Sequence, residues 1–171
     1  MMQRLHIGSA RRTSRIHAFT LVEIMVVVVI IGLLAAMALP TYRRITMKSK
    51  TAALVSDLRS YSTALITYNL QNGKWPPNDA PQKIPAGMAG AMAEGFTRKS
   101  PIGGYYKWNY GVSADGINAT AAIIIETANG EAVSDDADLR EMIDREMDDG
   151  DLSTGNVVLG STNSLVFIIE K

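Results

Sequence analysis

From Ile24 to Leu39 the sequence carries no charged side chain, and Glu23 stands at the head of that run. The stretch is near the lower limit for crossing a bilayer, and Phe19–Val22 extend it. A carboxylate at a bilayer centre costs roughly 2.5 kcal/mol or more. Any account of these residues therefore has to explain both the apolar run and the single acid inside it.

Charge is divided around this run. Of the 17 basic side chains, Arg4, Arg11, Arg12 and Arg15 lie in residues 1–18, which hold no acid. The other 13 face 17 acids, so residues 19–171 carry a net charge of −4. A basic segment before an apolar span stays cytoplasmic by the positive-inside rule. An acidic body gives no support for nucleic-acid binding. There is no cysteine, hence no disulfide and no thiolate metal site.

Three readings of the first forty residues compete. One is a cleaved secretory signal, with Ile24–Leu34 as its apolar region and Ala36-Met37-Ala38 as the small-x-small cleavage site. A second is an uncleaved single-span anchor. Neither has a use for Glu23. The third supposes a cut between Ala18 and Phe19, which places a new α-amino group four residues from Glu23. In a bundle of parallel helices, Glu23 of one subunit can meet the Phe19 amine of its neighbour. A buried carboxylate is tolerable when paired, and such a pair also fixes axial register.

Ala18-Phe19-Thr20-Leu21-Val22-Glu23, followed by IMVVVVIIGLLAA and Pro40, strongly resembles the type IV pilin class, meaning pilins and the pseudopilins of type II secretion. The run EIMVVVVIIGLLAA looks most like a major pseudopilin. The resemblance implies cleavage before Phe19 by a membrane aspartic peptidase, N-methylation of Phe19, and Glu23 as the assembly carboxylate. Family members usually have glycine before the cut, where this chain has Ala18. The resemblance also implies an α+β pilin-like fold, a long N-terminal helix packed on a small antiparallel sheet. The domains expected are a leader at 1–18, a transmembrane and assembly helix at 19–40, and a globular body at 41–171.

Gly32 and Ala36 form a small-xxx-small pair that lets helices approach closely in lipid, although such residues are common in spans. Pro40 removes a backbone donor and is expected to kink or interrupt the helix. Beyond it, Thr51, Leu54, Leu58, Tyr61, Leu65 and Tyr68 recur at spacings of three and four, so the helix runs to about Gln71. Arg43, Arg44, Lys48 and Lys50 suit lipid head groups, an acidic face of a neighbouring subunit, or plain solvent.

Residues 73–104 are rich in Pro and Gly, with one short helix expected at 86–95. Tyr106, Trp108 and Tyr110 alternate as in a strand, and INATAAIIIE reads as its hairpin partner around a loop at Ser113–Gly116. Asp135–Met147 is helical in pattern, with Asp135, Asp136 and Asp138 at its N-terminus. Asn156–Gly160 and Ser164–Glu170 read as further strands, giving three or four in all.

Both histidines, His6 and His17, precede Phe19. Residues 19–171 therefore hold no Ser-His or Cys-His pair and no imidazole ligand, and the sequence has no phosphate-cradling loop or dinucleotide fingerprint. An enzyme is not expected. Residues 144–156, DREMDDGDLSTGN, are rich in oxygen ligands. Asp148, Asp149, Asp151 and Ser153 are the set expected if the loop holds calcium, although Asp149 stands where an EF-hand needs glycine. The alternative is a solvated acidic turn. Trp75, Tyr105, Tyr106, Trp108 and Tyr110 read as packing residues rather than a binding surface.

The function expected is a structural subunit of a type II secretion pseudopilus, assembled through its N-terminal helix. The alternatives are a type IV pilus pilin or minor pilin with an adhesive or DNA-uptake role, and an anchored or secreted protein with a conventional signal. The partners expected are copies of itself, the prepilin peptidase, the inner-membrane secretion or pilus platform, and the inner membrane. The location expected is a single pass of a bacterial inner membrane with the body in the periplasm.

Overall fold

The computed structural model describes residues 19–111 and 113–171. The chain forms α1 (Leu21–Asn72), β1 (Tyr105–Tyr110), β2 (Ala121–Glu126), α2 (Ala137–Met147), β3 (Val157–Leu159) and β4 (Leu165–Glu170), with a short 3-10 turn at Glu94–Thr97. This is the α+β, pilin-like architecture that the sequence predicts. Two compact units divide at Thr41 and Tyr42.

In the first unit every large apolar side chain from Phe19 to Leu39 is half exposed or more. Burying one such side chain is worth roughly 1.5–3 kcal/mol, so a face of this extent calls for lipid or other helices around it. The helix continues through Pro40 without a break. The expected interruption is absent, because a proline removes one hydrogen bond while the turns on either side keep theirs.

In the second unit α1 supplies a core stripe. Thr51, Leu54, Val55, Leu58, Tyr61 and Leu65 are buried, as the spacing predicts. Leu54, Leu58, Tyr61 and Leu65 pack with Met88, Met92 and Phe96, and with the inward faces of β1, β2 and β4. The Tyr61 ring meets Phe96 edge-on at 5.1 Å and Tyr106 at 5.0 Å. The Tyr106 hydroxyl donates to Asp57 Oδ2 at 2.8 Å, tying β1 to α1. Burial, the hydrogen bond to Asp57 and its charge all push the Tyr106 phenol far up, so it stays protonated. Trp108 is buried and donates to the Pro76 carbonyl, while Trp75 packs beside it at 5.4 Å. Tyr106, Trp108 and Trp75 are packing elements, as expected, whereas Tyr110 at the end of β1 is exposed.

The sheet is antiparallel in the order β1-β2-β4-β3. The central strand β2 is buried on both faces. Ala121, Ile123 and Ile125 face the core shared with α1, and Ala122 and Ile124 join a second cluster with Val158, Val166 and Ile168. Residues 113–120 cover that second cluster through Ala114, Ile117 and Ala119. This segment is thus a lid as well as the connection between β1 and β2.

Asp115 pins the lid. Its Oδ2 accepts from the Thr162 amide at 3.0 Å, the Thr162 hydroxyl at 2.7 Å and the Ser164 hydroxyl at 2.6 Å. Its Oδ1 accepts from the Ser161 hydroxyl at 2.8 Å. Arg140 fastens α2 to the same turn. It is almost wholly buried and donates to Asn163 Oδ1, the Asn163 carbonyl and the Ser134 carbonyl. Neither sheet edge is left as a bare template. Asn78 exchanges two hydrogen bonds with Tyr110, the Gln82 amide donates to the Tyr106 carbonyl, and Leu159 donates to Leu152 on the far side.

Residues 86–95 do not form the expected helix. Ala and Met favour one, but Gly87 and Gly90 hold φ of +86° and +84°, which breaks it into turns. Met88 and Met92 anchor those turns in the core.

Candidate functional site

Two places carry the residues singled out in the sequence. At the first, Thr20 and Glu23 open α1. Glu23 Oε2 accepts from the Thr20 amide and the Thr20 hydroxyl, both at 2.9 Å, and the Glu23 amide donates to Thr20 Oγ1 at 3.2 Å. This is a capping box, Thr-x-x-Glu, which satisfies donors that a helix start leaves unpaired. The reading of Glu23 through assembly alone missed this local partner, although the spacing Thr20 to Glu23 was the signal for it. Glu23 Oε1 makes none of these bonds, so the carboxylate keeps an oxygen for a second partner.

Phe19 is 79% exposed beside this cap. Ala18, the other half of the expected cleavage site, lies outside the described residues, as does the rest of the 1–18 leader. A Cβ built on Gly32 meets nothing within 4 Å, so its face is open for another helix to approach. Of the cations past the span, Arg43 approaches Asp136 of its own chain at 3.8 Å. Exposed pairs of this kind contribute little. Arg44, Lys48 and Lys50 are exposed.

The second place is the end of α2. Asp136 caps its start by accepting from the Leu139 amide, and Asp148 closes it. The structure brings together Asp144, Asp148 and Asp149, with one carboxylate oxygen of each within 4.8 Å of the others. The expected set was Asp148, Asp149, Asp151 and Ser153. The Asp151 carboxylate instead accepts from the Ser153 amide at 3.0 Å and its hydroxyl at 2.6 Å, so these two form a turn of their own. Asp144, which opens the oxygen-rich run 144–156 but is not among the four residues singled out from it, is fully buried.

Burial pushes the Asp144 carboxyl up to about 6; the charges of Asp149 and Asp148 add to this, and the Gly150 amide partly offsets it. Asp148 Oδ2 accepts from the Asn156 amide. Gly155 makes room for it, since a Cβ there would lie 1.9 Å from the same oxygen. Asp149 is held below the ordinary range by hydrogen bonds from the Asp151 amide and the Thr154 hydroxyl.

The chain resembles known proteins most clearly at its N-terminal helix. Residues 13–39 match the family described as the prokaryotic N-terminal methylation motif. Type II secretion system core protein G of Klebsiella pneumoniae is 38% identical over 93 residues, covering 54% of this chain and 65% of that protein. A type IV major pilin protein of Neisseria gonorrhoeae is 39% identical over 61 residues, 36% of this chain and 37% of the pilin. Fimbrial protein Q of Moraxella bovis is 34% identical over 116 residues, 65% of this chain and 70% of that protein. The chain thus spans under two thirds of the first two relatives and somewhat more of the third. With a long apolar N-terminal helix, a four-stranded antiparallel sheet and a prepilin-type methylation motif, it belongs to the type IV pilin-like family.

Proposed function

We propose that this chain is a filament subunit of the pseudopilus type. The observation that carries the reading is Glu23, the one charge among the exposed apolar residues 19–39, four residues from Phe19. Cleavage between Ala18 and Phe19 frees an α-amine, which is then methylated. In the filament the Glu23 carboxylate pairs with the Phe19 amine of a neighbouring subunit. Gly32 lies on the helix face that neighbours approach, and Pro40 marks where the helix loses one hydrogen bond. On this reading the span lies in the bacterial inner membrane and the body in the periplasm, which the basic leader before an apolar run supports. Prepilin peptidase and an inner-membrane platform are the partners. Similarity to core protein G over 93 residues favours the secretion pseudopilus. The type IV pilus reading rests on the gonococcal pilin and fimbrial protein Q.

Mass mapping of the mature N-terminus tests the processing step. The expected chain starts at N-methylated Phe19; a chain starting at Leu39 contradicts it. Ala18→Gly is expected to mature normally and Ala18→Leu to fail, because a peptidase pocket at a membrane boundary accepts only a small side chain there. Equal maturation of both variants would argue against recognition at this position.

A further inference from the structure

We propose that residues 42–50 of α1 form a basic collar that binds the phosphate groups of anionic phospholipids, in the leaflet that the chain meets as it leaves the span. The proposal rests on the reading of residues 19–39 as a membrane span.

Arg43, Arg44, Lys48 and Lys50 fall within eight residues directly after the apolar run, and no acid lies between Ile24 and Ser56. All four cations are exposed. Arg43 approaches Asp136 Oδ2 at 3.8 Å, while the other oxygen of Asp136 accepts from the Leu139 amide. Among the described residues Arg44, Lys48 and Lys50 make no ion pair. Orientation does not account for them. The positive-inside rule puts the excess of cations before the span, and here four follow it as four precede it.

The spacing along α1 puts the collar at lipid head groups. A helix rises about 1.5 Å per residue, so residues 21–39 cover about 28 Å, close to the hydrocarbon thickness of a bilayer. Arg43 and Arg44 lie about 6–8 Å further along the helix, the depth of one head-group layer. Lys48 and Lys50 start about 14–17 Å beyond Leu39, and their flexible stems can reach back while the ammonium stays in water. Tyr42, 69% exposed at the start of the collar, is the kind of amphipathic ring that membrane interfaces favour.

Charge selects the occupant. Residues 51–171 hold nine basic side chains and 16 acidic ones, a net charge of −7, so the body is itself repelled by an anionic leaflet. The acidic body of a second copy is for that reason disfavoured at head-group depth, where lipid phosphates already stand. Each cation near such a surface strengthens attachment, and the attraction fades within a Debye length of about 8 Å at physiological salt. A subunit leaving the bilayer for a filament would have to give up these phosphates.

The test uses the full chain reconstituted in phosphatidylcholine vesicles with a trace of spin-labelled phosphatidylglycerol or spin-labelled phosphatidylcholine. Electron spin resonance reads the fraction of each lipid that the protein immobilises. Phosphatidylglycerol is expected to associate at least about fivefold more strongly, with the preference shrinking at high salt. Changing Arg43, Arg44, Lys48 and Lys50 together to Gln is expected to lower that preference at least about threefold, the remainder belonging to the four arginines before the span. All four positions are exposed, so the variant should keep the parental circular dichroism. A preference absent from the parent, or unchanged in the glutamine variant, would overturn the proposal. Absence of the preference together with subunits cross-linked through Lys48 or Lys50 would assign the collar to a second copy instead. Release of the parent chain from the vesicles by alkaline carbonate would remove the span reading and the proposal together, whereas carbonate-resistant protein without the preference would remove the proposal alone.

Discussion

A single carboxylate, Asp115, joins segments 46 to 49 residues apart in sequence. Burial opposes its charge, but hydrogen bonds from Ser164, Thr162 and Ser161 outweigh that and hold it at about 2, below the ordinary 3.8. A carboxyl lowered on folding adds stability above its unfolded value and loses it as the pH falls through its folded value. The window is therefore from about pH 4 down to about pH 2, and the contribution is on the order of 1–2 kcal/mol after solvent screening. Melting of Asp115→Asn against the parent should show a clear gap at about pH 5 that closes at about pH 2. A gap constant across that range would assign the effect of the mutation to packing. The sequence marks Asp115-Gly116 as a turn, but nothing local identifies Ser161, Thr162 and Ser164 as its partners. The same limit applies to Arg140 and Asn163, whose pairing depends on how α2 and the β3–β4 turn meet.

At the scale of elements, α1 carries two different patterns on one helix. Residues 21–39 are apolar on every face, whereas residues 51–65 are apolar on one stripe, and both patterns are plain in the sequence. The strands were legible for the same reason, since β-branched and aromatic residues cluster between turn formers. Residues 86–95 were not, because their composition favours a helix while two glycines take left-handed conformations. The role of residues 113–120 was hidden as well, since covering a sheet face is a tertiary act. The core stripe makes a quantitative prediction. Leu58→Ala, fully buried, is expected to cost about 2–5 kcal/mol in denaturant unfolding. Leu70→Ala on the same helix, 80% exposed, should stay within about 0.5 kcal/mol. Similar losses for the two would contradict the assignment of the buried face.

For the whole molecule, the sequence alone marks the apolar run, the acid Glu23 at its head and the acidic turn. It did not reveal the strand order β1-β2-β4-β3, the capping of Glu23 by Thr20, or the burial of Asp144. Those depend on contacts between distant residues or on a side-chain geometry that spacing only suggests. The capping box sharpens the question about Glu23, because a carboxylate that starts a helix need not also assemble a filament. Glutamine separates the roles: it can serve in the box, but it cannot pair with an ammonium. The direct measurement is filament yield from cells expressing Glu23→Gln, with membrane levels of the subunit and the mass of its N-terminus checked in parallel. The charge-pairing account predicts a processed, membrane-inserted subunit with filament yield lost or strongly reduced. Filaments at the parental yield from Glu23→Gln would contradict it and leave Glu23 as a helix cap alone.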